Sequence, residues 1–241
     1  MKRQLLLFAA MLCLGGTATA QNGETIIGDG NNVKEKREIS EFTGINVKGP
    51  FEVTITDNGD DFVTLEGSQN IVSLVEVEME GETLSISFPN GYNFKSHKNN
   101  KVYIKVPYKT GLNSITLNGS GSIVCKNTLK TNMKVNLGGS GTISLSLNSA
   151  KSEACVLGSG DITLRGNVEE FSCKVVGSGS IDAENLESAS VEAVVSGSGN
   201  ANVICSKAIK GNISGSGNIA FSGNPAQQDL KRTGSGEYKT F

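Results

Sequence analysis

From Ser114 to the C-terminus, apolar and polar residues alternate in short runs, and one tripeptide punctuates them at nearly constant intervals. Gly-Ser-Gly begins at Gly119, Gly139, Gly158, Gly177, Gly197, Gly215 and Gly234, with successive spacings of 20, 19, 19, 20, 18 and 19 residues. Four residues after each first glycine stand Ile123, Ile143, Ile162, Ile181, Ala201, Ile219 and Tyr238; two further on stand Cys125, Leu145, Leu164, Ala183, Val203, Phe221 and Thr240. Upstream the pattern is mirrored, with Leu117, Leu137, Val156, Val175, Val195 and Ile213 two residues before the tripeptide. A period of two on both sides means that one strand enters the turn and another leaves it.

A second polar break follows each tripeptide, as at Asn127-Thr128, Asn148-Ser149, Gly166-Asn167 and Glu184-Asn185. Each period of about 19 residues therefore holds two short strands and two turns. A hairpin array has no reason to repeat one tripeptide at every second connection. A β-solenoid does, because its rungs stack in parallel at about 4.8 Å and each corner must let the next backbone lie directly on it. Glycine permits that approach and tolerates positive φ. Serines in seven equivalent settings form a column, and no catalytic role is assigned to them. One rung costs on the order of 1.5 kcal/mol per residue to order, which four or five inward side chains at about 1.5–3 kcal/mol each do not offset, so the rungs are stable only when stacked.

The N-terminal half is less regular β structure. Phe42 to Ile55 alternates around a Gly49-Pro50 break, and further strands are expected at Phe62–Glu66, Leu74–Met79, Thr83–Phe88 and Val102–Pro107, with Ile71–Glu80 ambiguous. Asn90–Asn100 reads as a polar loop. The charged runs Lys34–Glu38 and Lys95–Lys101 read as solvated loops, the first within a flexible N-terminal arm. The expected divisions are 1–20, an export leader; 21–38, the arm; 39–111, the N-terminal β region; and 112–241, the Gly-Ser-Gly solenoid.

The leader assignment rests on Lys2-Arg3, the apolar run Leu5–Leu14 and the small residues Ala18 and Ala20, an A-x-A pattern that places cleavage before Gln21. The apolar run is about half the ~20 residues that span a bilayer. Leu12 before Cys13 does not suit lipidation. The expected location is therefore the exported side of the inner membrane: periplasm, cell surface or medium.

The chain carries 22 basic and 24 acidic residues, scattered in both signs, which gives no electrostatic case for nucleic acid. The single histidine, His97, lies between lysines in a polar loop, far from any triad or zinc site. No phosphate-binding loop, HExxH helix or EF-hand loop occurs. Gly158-Ser159-Gly160-Asp161 is similar to calcium-binding repeats, but the equivalent positions elsewhere are Ser122, Thr142, Ser180, Asn200, Asn218 and Glu237. Asp161, Asp182, Glu153, Glu192 and Arg165 face outward by alternation yet do not gather in one register, as a lyase or glycosidase on a β-helix would need. No catalytic, cofactor-binding or metal-binding residues are assigned, no cofactor is expected, and the chain reads as a non-enzyme. Cys173 shares the inward parity of Ala154 whereas Cys155 is one position off, and Cys125 and Cys205 are about four rungs, near 19 Å, apart. Free, mostly buried thiols are expected.

Phe42-x-Gly44-Ile45-x-Val47-x-Gly49-Pro50-Phe51-x-Val53, then Lys101-Val102-Tyr103-Ile104-Lys105-Val106-Pro107, then the Gly-Ser-Gly series together resemble the GIN domain, the head domain of autotransporter adhesins, over roughly 38–241. The resemblance implies a right-handed, pectin-lyase-like parallel β-helix without retained lyase residues, and a role in cell adhesion. The chain departs from trimeric autotransporters in having no coiled-coil stalk or C-terminal barrel, so self-anchoring is not expected. Three functions follow as alternatives: a non-catalytic binding or adhesion module that presents its faces to a glycan or an envelope or host protein; a self-associating envelope scaffold that joins copies through terminal rungs; and a polysaccharide lyase or hydrolase.

Overall fold

The computed structural model describes residues 24–89, 91–94, 101–109 and 111–241; the leader expected over 1–20 and His97 lie outside the described residues. The chain is an all-β solenoid of about seven turns. Its elements are β1 (Glu24–Ile26), β2 (Asn32–Glu38), β3 (Gly44–Lys48), β4 (Glu52–Thr56), β5 (Phe62–Ser68), α1 (Gln69–Val72), β6 (Glu76–Glu80), β7 (Thr83–Ser87), β8 (Tyr92–Phe94), β9 (Tyr103–Pro107) and β10 (Ser114–Gly119). They continue with β11 (Ser122–Leu129), β12 (Met133–Gly139), β13 (Thr142–Gly158), β14 (Asp161–Gly177), β15 (Ser180–Gly197), β16 (Asn200–Ile204), β17 (Ala208–Gly215), β18 (Asn218–Ser222), β19 (Gln227–Thr233) and β20 (Tyr238–Thr240).

Two parallel ladders run the length of the molecule. Strands entering the glycine turn stack in the order β7, β3, β10, β12, β13, β14, β15, β17, β19. Strands leaving it stack as β9, β4, β11, β13, β14, β15, β16, β18, β20. Alternation sends Ile143, Ile162 and Ile181 into one buried column and Leu145, Leu164 and Ala183 into the next. At the corner, the first carbonyl of each triplet from Gly119 to Gly197 accepts two N–H groups from the triplet above: Ser159 and Gly160 donate to Gly139 at 2.9 and 3.0 Å, and Ser178 and Gly179 to Gly158 at 2.9 and 3.0 Å. Backbone pairing therefore continues through the turn as well as along the strands.

Over 142–197 the second polar break bends the chain without interrupting the ladder, so the two strands of a rung merge into one of 17 or 18 residues. Leu147, Val168 and Leu186 stay buried at this bend and fill the far corner. Elsewhere, as between β11 and β12, the two strands remain separate.

The N-terminal half belongs to the same stack, but out of chain order. β3 and β4 lie between β7 and β9 on one side and β10 and β11 on the other. The Gly49-Pro50 break thereby becomes a member of the turn column: Gly49 donates to the Asn118 carbonyl at 3.0 Å, and Ser122 donates to the Phe51 carbonyl at 2.8 Å. Phe51 stands where the other turns have their second glycine, and its buried ring stacks on Phe88 with centroids 5.1 Å apart.

The expectation of a flexible arm and a solvated Lys34–Glu38 loop is corrected. β2 pairs antiparallel with β5 over seven residues, and β5 pairs antiparallel with β9. Val33, Glu35 and Arg37 take the inward parity, with Val33 packed against the core. The Arg37 guanidinium donates to the carbonyls of Val75 and, at 2.8 Å, Val72. β2 is thus an end strand whose inward charges close off the stack. The ambiguous stretch Ile71–Glu80 resolves into the end of α1 and then β6, which runs antiparallel to β7. β1 and β8 form a separate two-stranded parallel pair.

Candidate functional site

One outer column of the solenoid bonds largely to itself. Glu52, Ser122, Thr142, Asp161, Ser180, Asn200 and Asn218 are successive neighbours in register. Within this column the Ser122 hydroxyl donates to Glu52, the Ser180 hydroxyl to Asp161, and Asn218 Nδ2 to Asn200 Oδ1 at 3.0 Å. The Ser122 hydroxyl, and after it Lys101 at 3.0 Å, hold the Glu52 carboxyl below its ordinary pKa against partial burial. This column consumes its own hydrogen-bonding capacity and ties rung to rung.

The candidate acids fall on two faces. Asp161 and Asp182 lie on the strands that leave the turn, on adjacent rungs but two positions apart, with Arg165 beside Asn185. Glu153 and Glu192 differ from expectation: both fall in one column, with Ser172 between them. They line a shallow cleft of about 290 Å³, and each has a lysine partner, Lys151 at 3.8 Å and Lys210 at 2.7 Å. Glu170, opposite Lys151 in register, is the third carboxylate of the lining; with Glu153 and Glu192 separated by an intervening rung and each held by a lysine, the three make a solvated surface pattern.

The cysteine parity agrees with the sequence-based expectation. Cys173 is buried beside Ala154 and Ala193, while Cys155 is half-buried on the outer face beside Lys174. The four described cysteines are free, and burial pushes the Cys173 thiol up to about 12 and Cys205 to about 11. Leu157, two residues along the same strand and on the same face, is 55% exposed.

Irregular relief occurs at the N-terminal corner, where β2, β5 and β9 depart from the repeat. Two clefts adjoin there and share Asp60 and Pro107. The first, about 230 Å³, is lined by Glu41, Asp60, Asp61 and Glu82 around Phe42 and Pro107, with Lys109 paired to Asp61 at 2.7 Å. The second, about 250 Å³, lies on the outer face of β2, β5 and β9 and is lined by Lys34, Lys36 and Lys105 with Phe62, Thr64 and Pro107. The Lys36 ammonium sits 3.8 Å above the Phe62 ring. Among the described residues no group of three or more His, Cys, Asp or Glu is arranged to hold a metal ion, and no helix is long and apolar enough to cross a membrane.

The family model described as "Putative auto-transporter adhesin, head GIN domain" matches residues 41–225. The chain belongs to this family. A solved structure from Bacteroides fragilis, described as a "putative adhesin", is 26% identical with a TM-score of 0.77, and the match covers 88% of this chain and 97% of that one. A Parabacteroides distasonis protein described as a "putative lipid binding protein" is 23% identical with a TM-score of 0.72, covering 90% and 100% of the two chains. A "putative adhesin" from Parabacteroides merdae is 21% identical with a TM-score of 0.66, covering 89% and 99%. The last two establish likeness of fold. No curated protein matches the chain.

The corner clefts are not apparent from the sequence. Lys34 and Lys36 sit within a charged run, and the one available signal of a strand there is their alternation with Val33, Glu35 and Arg37. Lys105 and Phe62 come from other strands, and only the antiparallel register of β5 brings them beside β2.

Proposed function

We propose that this GIN-domain protein is a non-catalytic, exported binding module that presents a rigid solenoid surface to a glycan or a surface protein. The observation that carries the reading is family membership over residues 41–225, together with a related structure from Bacteroides fragilis described as a "putative adhesin". The fold suits such a role, since backbone pairing continuous through strands and corners holds surface groups in a fixed lattice and little ordering entropy is lost on binding. The leader-like N-terminus supports export. Three acids of the solenoid faces are held by neighbours, Glu192 by Lys210 and Asp161 by Ser180 across the register and Glu153 by Lys151 along its own strand, which favours binding over turnover.

The alternative, an envelope scaffold joined end to end, is less favoured because its end strands are charged. β2 reads Asn-Val-Lys-Glu-Lys-Arg-Glu, β6 Glu-Val-Glu-Met-Glu and β19 Gln-Gln-Asp-Leu-Lys-Arg-Thr, compositions that oppose edge pairing. A glycan and matrix-protein array tests the reading: saturable, reproducible binding is expected. A blank array together with concentration-dependent assembly in sedimentation would transfer the assignment to the scaffold. Turnover of pectin-like polymers, with or without calcium, would overturn the non-catalytic part.

A further inference from the structure

We infer that the cleft between β2, β5 and β9 is the site at which this protein takes an acidic saccharide, one bearing carboxylate or sulfate groups. The inference rests on the binding-module reading and adds to it a place and a ligand class.

Register builds the site. Lys36 on β2 is the cross-strand partner of Thr64 on β5, and Thr64 is in turn the partner of Lys105 on β9. The two lysines therefore flank a small, buried side chain, about two strand spacings or roughly 9.6 Å apart, with the cleft between them. Lys34 extends the cationic wall along β2. Ion pairing separates these lysines from their neighbours: before residue 110, Lys48, Lys101 and Lys109 are each paired to a carboxylate, at 3.3, 3.0 and 2.7 Å. Lys34, Lys36 and Lys105, the remaining described lysines of that half, form no ion pair and all line this one cleft. Glu66 stands opposite Lys34 and Glu38 opposite Phe62 in register, yet neither is bridged to these ammonium groups.

The rest of the lining selects among anions. Phe62 and Pro107 give the cleft an apolar lining; the Phe62 ring carries the Lys36 ammonium over its face, which leaves Pro107 to meet the C–H face of a pyranose ring. Along the rim, Thr56 Oγ1 donates to Asn58 Oδ1 at 3.2 Å and Asn58 Nδ2 donates to the Asp60 carboxylate at 2.6 Å. That polar chain suits ligand hydroxyls. A ligand with separated negative charges, hydroxyls and an apolar face meets all three parts of the lining.

Calorimetric titration of the protein with a heparin-derived hexasaccharide and with hexagalacturonate tests the inference, sulfate and carboxylate being distinguished by which arm binds. Saturable binding in at least one arm is expected, weakened at least tenfold in Lys36→Ala/Lys105→Ala and partly in Lys105→Ala alone. It should change less than twofold in Lys174→Ala/Lys207→Ala, which removes equal charge elsewhere, with thermal melts confirming that all variants are folded. Equal loss in both double variants would mean charge attraction alone and would overturn the site. Binding to phosphatidylglycerol vesicles but to neither oligosaccharide would overturn the ligand class. Retained hits on the array with neutral glycans or proteins, and none here, would remove this inference while leaving the binding module standing; silence in both would remove the two together.

Discussion

The carbonyl oxygen of Gly139 lies 2.5 Å from the position that a methyl carbon on Gly158 would occupy. Gly158 also has φ of 129°, a conformation L side chains rarely adopt. Gly158→Ala combines backbone strain with an overlap that neither rung can relieve without breaking corner hydrogen bonds. Chemical denaturation should show a loss of about 2–4 kcal/mol. Ser159→Ala, at the exposed apex of the same turn, should stay within about 0.5 kcal/mol. Equal effects at the two positions would contradict the stacked corner.

Cys173 makes alkaline pH destabilising. Its folded pKa, raised by burial to about 12, exceeds the ordinary thiol value of 9.0, so its contribution is fully present below about pH 9 and is lost as pH rises toward 12. The slope is on the order of 1 kcal/mol per pH unit, because the unfolded chain releases a proton that the folded chain retains. Cys205 adds a smaller contribution of the same sign over a window ending near 11. Denaturation midpoints from pH 8 to 11 should fall less steeply in Cys173→Ala than in the parent. Thiol labelling of the native protein should reach half-buried Cys155 well before Cys173.

Ser188 Oγ is a buried polar atom without a hydrogen-bond partner among the described residues, at a far-corner position whose counterpart one rung earlier is Val168. An unsatisfied buried hydroxyl is costly, and its removal leaves only a small void. Ser188→Ala is expected to raise stability by about 1 kcal/mol in an equilibrium melt. A loss of similar size would mean that the hydroxyl is satisfied by water.

The repeat region is legible in the sequence because each constraint there is local: the triplet fixes the turn, and alternation on either side fixes which residues face inward. Gly49-Pro50 is visible as a break, but its membership in the turn column is not, since Phe51 replaces glycine and its rung neighbours lie some seventy residues away. Lys34–Glu38 misleads for a related reason. Its inward residues include Glu35 and Arg37, which imitate a solvated segment and become intelligible only once Arg37 meets the carbonyls of Val72 and Val75. The cleft assembled from Lys36, Phe62 and Lys105 depends on two antiparallel registers that no periodicity announces.

The C-terminal end has its own closure. Leu230 and Tyr238 pack on the last rung, the Tyr238 ring lies over Gly211, and its hydroxyl donates to the Lys231 carbonyl at 2.6 Å. Truncation after Gly223 would bare the edges of β17 and β18 along with Ile213, Ile219 and Phe221. Sedimentation should then detect association under conditions in which the intact chain is expected to remain monomeric. A truncated chain that stayed monomeric would assign these last strands no protective role.

From β10 onward, order in space follows order in sequence, whereas β3 and β4 are clasped between strands that come later in the chain. Gain or loss of a whole repeat is therefore geometrically free in the C-terminal run and forbidden near the start. Each added repeat would lengthen the rod by about 4.8 Å and leave the N-terminal corner intact. The molecule is a ruler with a fixed head, and copy number sets how far that head stands from the other end.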